Sequence, residues 1–224
     1  MYRERPSIIP GAVVWESVST GAATRIVPDG CIDVISLGGR LIVAGPDSTA
    51  RHHRSEPGAG ATGLRFAPGQ APAVLRVSAV DLLDRTVGLD DLLGGRVSRT
   101  LTERMAAHVD AAAFLEASFL EPVLATDERE RTAIVARLRA GQSVETVAVA
   151  AGIGLRQLHR RSLAWFGYGP KQLAMVLRLQ RALDAGRSGS TFADVAARCG
   201  YADQAHLARD ARRLGGTTFG ALVA

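Results

Sequence analysis

The side chains best suited to catalysis or metal binding lie close together near the start of the chain. Asp29, Cys31 and Asp33 alternate, so they would share one face of a strand, and His52-His53 follow in a polar segment. A thiolate with carboxylates and imidazoles can bind a soft metal or form a Cys/His nucleophile pair. We expect structural roles instead, because an Asp-Gly pair is typical of a turn and Cys31 suits a buried strand. The pattern therefore predicts no metal, no cofactor and no catalytic residue.

Four residues of the same half have the chemistry of an effector site. Arg65 lies in an apolar stretch, where a guanidinium can anchor an anionic ligand or pair with an acid such as Asp33. Trp15 and Phe66 are aromatic and can line an apolar pocket. We take Trp15, Asp33, Arg65 and Phe66 as the candidate effector site.

Arginine dominates the second half of the chain. From Thr126 onward there are 15 Lys and Arg against 8 Asp and Glu, a net charge of +7, whereas the first 125 residues carry a net charge of −2. Lys171 is the only lysine. A planar guanidinium suits bidentate contacts to phosphate or to guanine. This asymmetry is typical of a polyanion-binding domain joined to a domain that does not bind the polyanion.

An internal repeat organises the basic half. Its members are Val147, Ala148 and Gly152, which recur 48 positions later, and Leu158, Arg160 and Gly167, which recur 49 positions later. Each unit reads as a short Ala-rich helix, a glycine-containing turn and a longer basic helix, which is the pattern of a helix-turn-helix. The sequence thus predicts two such units in tandem, at residues 144–166 and 192–214.

A linker helix is predicted between the two units. Pro170 suits the first turn of a helix predicted over residues 170–185, in which the good helix formers from Lys171 to Ala185 span roughly 22 Å. Such a spacer can place the second helices of the two units about 34 Å apart, in successive major grooves of duplex DNA.

These motifs resemble the AraC/XylS-type transcriptional regulators. The resemblance rests on the second unit, Asp194-Val195-Ala196-Ala197-Arg198-Cys199-Gly200-Tyr201-Ala202-Asp203-Gln204, and on Gly167-Tyr168-Gly169-Pro170 after the first, and it covers residues 130–224. It implies double-stranded DNA as the partner, and RNA polymerase as well if the protein is an activator. The N-terminal half is similar to an uncharacterised sensor domain that often precedes such DNA-binding halves.

The resemblance also implies which residues touch DNA. The positions expected to contact base edges are Arg156, His159 and Arg160 in the first unit and Gln204, Ala205, Ala208 and Arg209 in the second. Arg161, Arg212 and Arg213 are expected on phosphates, where they add affinity without sequence information. Leu155, Leu158 and Phe166 are expected in the core.

The first half reads as β-rich. Strands are predicted at 13–15, 25–27, 31–37, 40–44, 63–66 and 73–77, with a hairpin at Gly38-Gly39, a loop over 47–62 and a helix after Ser78. A helical period follows from Ser98, carried by Leu101, Met105, Val109, Phe114, Leu115 and Phe119, with Pro122 ending it and Thr126 beginning the next helix. Phe114, Leu115 and Phe119 could pack inside the chain or form a homodimer seam.

The sequence as a whole predicts an α+β protein in two domains. A β-rich sensor domain over residues 1–122 precedes an all-α DNA-binding domain over 126–224. A hydrophobic content of 47% supports globular cores, and we expect a bacterial cytoplasmic, nucleoid-associated protein that has no membrane partner. The expected function is sequence-specific transcriptional regulation, controlled by a small-molecule effector or a regulatory protein.

Two other readings of the sequence stay open. One is an enzyme centred on Cys31 and fused to a DNA-binding domain. The other is an adaptor whose first half binds only another protein.

Overall fold

An antiparallel β-sheet forms the centre of the N-terminal half. The computed structural model describes residues 1–106, 108 and 110–224; Val109, part of the predicted helical pattern, lies outside them. The strands follow in the spatial order β1 Tyr2–Pro6, β2 Val13–Val18, β7 Gly60–Phe66, β4 Ile32–Leu37, β5 Arg40–Ala44 and β8 Thr86–Gly88. β3 Thr24–Ile26 pairs with β6 Arg51–His53. The predicted hairpin joins β4 to β5, because Gly38 and Gly39 both adopt positive φ.

The strand register gives the sheet one buried face and one face that is partly exposed, called the open face below. Val14, Leu64, Val34 and Val43 align across four neighbouring strands and are at most 2% exposed. The residues next to them in sequence point to the opposite side, where Trp15, Gly63, Ile35 and Ile42 align in the same way.

Helices lie before and after β8 in the chain, and the last of them covers the buried face of the sheet. They are α1 Ala71–Leu75, α2 Ala79–Leu82, α3 Leu89–Leu93, α4 Gly95–Ala106 and α5 Ala111–Leu124. Phe119 of α5 meets Phe66 edge to face, with ring centroids 5.5 Å apart. Phe114, Leu115 and Phe119 are all nearly inaccessible within this core. Packing inside the chain therefore accounts for the proposed dimer seam.

Several predictions for the first half are wrong. Residues 73–77 belong to α1 and the turn after it, because a short apolar run fits either a helix or a strand and Pro72 favours a first helical turn. The predicted loop over 47–62 contains β6 and the start of β7. Pro122 lies inside α5. Thr126 does not begin a helix; its hydroxyl donates to the carbonyl of Pro122.

The C-terminal half is helical throughout. Its helices are α6 Arg129–Arg139, α7 Val144–Ala150, α8 Leu155–Phe166, α9 Pro170–Arg187, α10 Phe192–Cys199, α11 Gln204–Gly215 and α12 Phe219–Val223. The linker helix α9 is two residues longer than predicted, and α11 runs one residue further. This half has its own hydrophobic cluster, from Ile134 to Phe219, and the cluster of the first half runs from Ile9 to Val123. Within the described ranges, every helix is too short or too polar to cross a bilayer.

Candidate nucleic-acid interface

The first helix-turn-helix unit consists of α7 and α8. Ser143 caps α7 by accepting a hydrogen bond from a backbone amide of its first turn. Gly152, at φ +66°, turns the chain, and the amide of Ile153 bonds back to the carbonyl of Ala148 at 3.1 Å. Ala148 and Leu158 are buried where the helices meet. This packing fixes one face of α8 and leaves the other to solvent.

The second unit, α10 and α11, repeats this construction. Thr191 caps α10, Gly200 turns the chain at φ +80°, and the amide of Tyr201 bonds to the carbonyl of Ala196 at 2.9 Å. Asp203 then caps α11 by accepting from a first-turn amide. The equivalent position in the first unit is a glycine without a side-chain cap. The sequence repeat is therefore a repeat of structure.

The exposed face of α8 carries the residues expected to read bases. Arg156, His159 and Arg160 are all exposed. Leu155, predicted as a core residue, is instead 50% exposed, because it is the first residue of the helix and lies before its buried stripe. The exposed face thus includes an apolar side chain as well as cationic ones.

Arg161 differs from its neighbours on α8. It forms an ion pair with Glu130 of α6, and its guanidinium carbon lies 5.7 Å from the ring centre of Trp165. A DNA phosphate would have to compete with this carboxylate, so Arg161 ties α8 to α6 in the free protein.

On the exposed face of α11, the side chains are uncharged at the start of the helix and are arginines towards its C-terminal end. Gln204, Ala205, Arg209, Arg212 and Arg213 are exposed, and Ala208 is half-buried. Among the described residues, Arg156, Arg160, Arg209 and Arg212 form no ion pair. Their guanidinium groups are available to an external anion.

The linker helix α9 is tied to the second unit by polar contacts that were not predicted from the sequence. Arg178 donates to the carboxylate of Asp210 at 2.7 Å and lies 4.5 Å from the ring centre of Tyr201. Asp210 is only 6% exposed. Arg181 donates to the carbonyl of Cys199, the last residue of α10, at 2.9 Å. The sequence signal for these contacts was Asp210, an acidic residue within the otherwise basic α11.

The N-terminal half contacts the C-terminal end of α11. The amide of Ala50 donates to the carbonyl of Leu214 at 2.6 Å, and the guanidinium of Arg25 donates to the carbonyl of Gly215 at 2.9 Å. The last carbonyls of a helix have no partner inside it. Two of those in α11 are therefore satisfied by residues from the other half.

The same half also contacts α9 and the end of α8. Gln172 donates to the carbonyl of Ser48 at 3.1 Å, and Gln180 donates to that of Pro28 at 2.6 Å. Gly69 lies against the ring of Phe166, the last residue of α8. We call these contacts and those to α11 the interdomain contacts. None of these interdomain contacts involves the first turn of α8 or of α11.

The predicted effector residues do not all lie together. On the open face of the sheet, the indole of Trp15 lies across Gly63 and donates to Asp33 at 2.6 Å. Arg65 lies 3.4 Å from Asp33 and 3.3 Å from Asp29. Phe66 is wholly buried on the opposite face and so does not lie with the other three residues. The group Trp15, Asp33 and Arg65 is the effector candidate that remains.

Charge compensation shapes this group. Burial raises the pKa of Asp33 to about 6, although Arg65 acts to lower it and Asp29 raises it further. Because carboxylates already surround Arg65, an anionic ligand would have to displace one of them.

Cys31 lacks the surroundings of a nucleophile. Burial and the nearby carboxylates raise the pKa of its thiol well above the usual value. His52 and His53 are exposed on β6, which belongs to a different sheet from β4. The described residues hold no group of three or more His, Cys, Asp or Glu side chains arranged for a metal.

Two known families match the chain, one in each of the halves that have their own hydrophobic cluster. Residues 130–224 match the family described as helix-turn-helix domain, and residues 12–88 match a domain of unknown function (DUF6597). No curated protein matches the chain.

Solved structures of AraC-type proteins are similar to parts or all of the chain. A transcriptional regulator with an AraC-type DNA-binding domain, from Chromobacterium violaceum, is 22% identical over 43% of this chain and 90% of its own, with a TM-score of 0.40. A probable AraC family regulator from Rhodopseudomonas palustris is 24% identical over 42% and 94%, with a TM-score of 0.36.

A third structure is similar over nearly the whole length. Apo ToxT of Vibrio cholerae is 9% identical over 97% of this chain and 98% of its own, with a TM-score of 0.50. At this identity the likeness concerns the fold, a β-sheet half followed by a helical half. The chain therefore carries a helix-turn-helix domain over residues 130–224, behind an N-terminal domain of unknown function.

Proposed function

We propose that the protein is a sequence-specific transcriptional regulator that reads two major grooves with α8 and α11 of one chain. The observation that carries the proposal is the set of exposed arginines without an ion pair on these two helices, in units joined by α9. A guanidinium can bridge the O6 and N7 atoms of guanine, and each good pair contributes about 1 to 3 kcal/mol of discrimination. The proposal implies that the protein works at the bacterial nucleoid.

The helices proposed to read bases, α8 and α11, are called the two readers, and their exposed side chains differ in chemistry. Arg156, His159 and Arg160 of α8 offer cationic and hydrogen-bonding groups to bases. In α11, Gln204 can pair with adenine and Arg209 with guanine, whereas Ala205 and Ala208 can offer only methyl contacts to thymine. Arg212 and Arg213 follow on the same helix and suit phosphates, and Arg161 joins them only if DNA displaces Glu130.

We further propose that the N-terminal half controls DNA binding through the interdomain contacts. Those contacts reach α8, α9 and α11 together, so a signal that shifts the first half would shift the positions of α8 and α11. Pro28 and Asp29 connect the Trp15, Asp33 and Arg65 group to α9, because Asp29 pairs with Arg65 and the carbonyl of Pro28 accepts from Gln180. A small effector or a regulatory protein could act at this group, and RNA polymerase is the further partner of an activator.

The proposal is tested by selecting duplexes from a randomised library with the purified protein. Fluorescence anisotropy then measures the Kd for a selected and a scrambled duplex across a range of salt concentrations. We expect a straight line of log K against log salt, with a slope of about −0.9 for each phosphate contacted. We also expect tighter binding of the selected duplex. Affinity that ignores salt, or equal affinity for both duplexes, would rule the proposal out.

The enzyme alternative requires a reactive Cys31. The raised pKa of its thiol leaves little thiolate at neutral pH. We expect the native protein to resist a thiol alkylating reagent and the denatured protein to react at both cysteines, as counted by mass spectrometry. Rapid alkylation of Cys31 in the native protein would reopen the enzyme reading.

A further inference from the structure

A cleft of about 560 Å³ lies between the two helix-turn-helix units. Its walls come from the starts of α7, α8 and α9 and from the last turn of α11. Three basic residues on three different helices line it: His159 of α8, Lys171 of α9 and Arg213 of α11. All three are exposed. The described lining residues include one acid, Glu145, which is also exposed.

The start of α9 adds to the positive character of the cleft. Gly169 is the N-cap of this 18-residue helix and provides no side-chain cap, and Pro170 occupies the first turn. The first backbone amides of a helix have no partner within it, and the helix dipole makes them favourable for an anion. The ring of His159 occupies the space above Gly169, where a Cβ atom would come within 2.8 Å of its Cε1 atom.

Lys171 sets this cleft apart from the rest of the basic surface. It is the only lysine of the chain, against 26 arginines. An ammonium is a compact point charge with rotatable donors, suited to one phosphate rather than to the two acceptors of a guanine edge. Arg213 reaches the cleft from the opposite wall, with its guanidinium 4.0 Å from the sulfur of Met175 on α9.

We propose that this cleft binds a backbone phosphate of the duplex at the point where the DNA strand passes between the two major grooves. The inference rests on the proposed function, because the cleft lies between the helix-turn-helix units that carry α8 and α11. Lys171 and Arg213 hold the phosphate from either side, with the first amides of α9 beneath it. The contact carries no sequence information and fixes the duplex along its own axis.

The rate of chemical modification at Lys171 tests the proposal without a change of sequence. The full-length chain is treated with an amine-acetylating reagent, alone, with the selected duplex or with inorganic phosphate at matched ionic strength. Mass spectrometry measures acetylation at Lys171. We expect the duplex to slow acetylation several-fold and inorganic phosphate to have little effect. Equal rates with and without bound duplex would overturn the proposal, and so would equal protection by inorganic phosphate, which would indicate a small-anion site.

Variants give a second, independent measurement. We expect Lys171→Ala and Arg213→Ala each to reduce the magnitude of the salt slope by about 1 on selected and scrambled duplexes alike. Arg187→Ala is the matched control, because Arg187 is an exposed cation at the far end of the same helix. Circular dichroism establishes that each variant is folded.

A neutral methylphosphonate at the central phosphate should weaken binding of the unaltered protein but not of the Lys171→Ala variant. The proposal fails if methylphosphonate at no position shows this dependence on Lys171. If the unaltered protein binds no duplex at all, the proposed function fails instead. If it binds with a steep salt slope that both variants retain, only the phosphate cleft is disproved.

Discussion

The ring of Phe166, at the end of α8, lies directly over Gly69 of the N-terminal half. A Cβ atom on Gly69 would come within 2.6 Å of the Cε1 atom of that ring. Gly69 also adopts φ +84°, which favours glycine. The contact therefore depends on the absence of a side chain in one half and on an aromatic ring in the other.

Gly69→Ala should loosen this contact. Gly58→Ala is the matched control, because Gly58 has φ +82° and no neighbour within 4 Å of a Cβ atom. We expect Gly58→Ala to lower the free energy of unfolding by about 1 to 2 kcal/mol through backbone strain alone. Gly69→Ala should cost about 1 to 3 kcal/mol more because of the clash. Urea denaturation measures both, and equal losses would show that the ring moves away freely.

Arg156→Ala and Arg160→Ala should weaken binding to the selected duplex by about 1 to 3 kcal/mol each. The loss should be smaller on scrambled DNA, because the bidentate contact to a base is absent there. Anisotropy on the two duplexes measures the difference. Equal losses on both duplexes would make these arginines phosphate contacts without a role in specificity.

Asp210→Ala should separate α11 from the linker helix. It removes the only carboxylate that pairs with Arg178 among the described residues and leaves that half-buried guanidinium with His206 and the ring of Tyr201. We expect a loss of about 2 to 3 kcal/mol in the free energy of unfolding. Asp184→Ala, at an exposed position of α9, is the control and should change stability little. Replacing both partners, Arg178→Met with Asp210→Leu, should recover most of the loss; no recovery would contradict the pairing.

The ionisation of Glu116 should make the free energy of unfolding depend on pH in the acidic range. It accepts from Arg5, Ser7 and the amide of Ile8, and hydrogen bonding to Arg5 is the main cause that lowers its pKa from 4.5 to about 2. Because the pKa is lower in the folded state, the stabilisation is present above about pH 4.5 and is lost as the pH falls towards 2. The difference in pKa corresponds to roughly 3 kcal/mol, and the half-exposed Arg5 reduces this to about 2.

Glu116→Gln should therefore lower the free energy of unfolding by about 2 kcal/mol at pH 7 and by much less near pH 2. Glu121→Gln is the control, since Glu121 is exposed on the same helix. Urea denaturation across pH measures the difference. A deficit that stays constant down to pH 2 would mean that the charge of Glu116 does not contribute.

The C-terminal half was largely predictable because its signals are local. Gly152 and Gly200 mark the turns, and the spacing of buried residues marks the helices, so each unit could be placed to within a residue or two. Leu155 is the exception. Its apolar character predicts burial, but the first position of α8 lies outside the packed stripe.

The N-terminal half was less predictable, for physical reasons. β1 was not predicted because Tyr2–Pro6 is an exposed edge strand with charged residues and no alternation of apolar and polar residues. Arg25 and Gln180 could not be identified as interdomain residues, since each donates to a backbone carbonyl and any residue can supply such an acceptor. Contacts of this kind leave no trace in composition or spacing.

The two readers share a single chain, yet they differ in sequence at nearly every exposed position. A two-fold symmetric dimer presents identical helices and so selects a palindrome. In this molecule the first turns differ: α8 presents Arg156 and His159, whereas α11 presents Gln204 and Ala205 before its own arginines. Under the proposed function, the operator has no two-fold symmetry, and inverting it beside a promoter would turn the N-terminal half to face the opposite direction along the DNA.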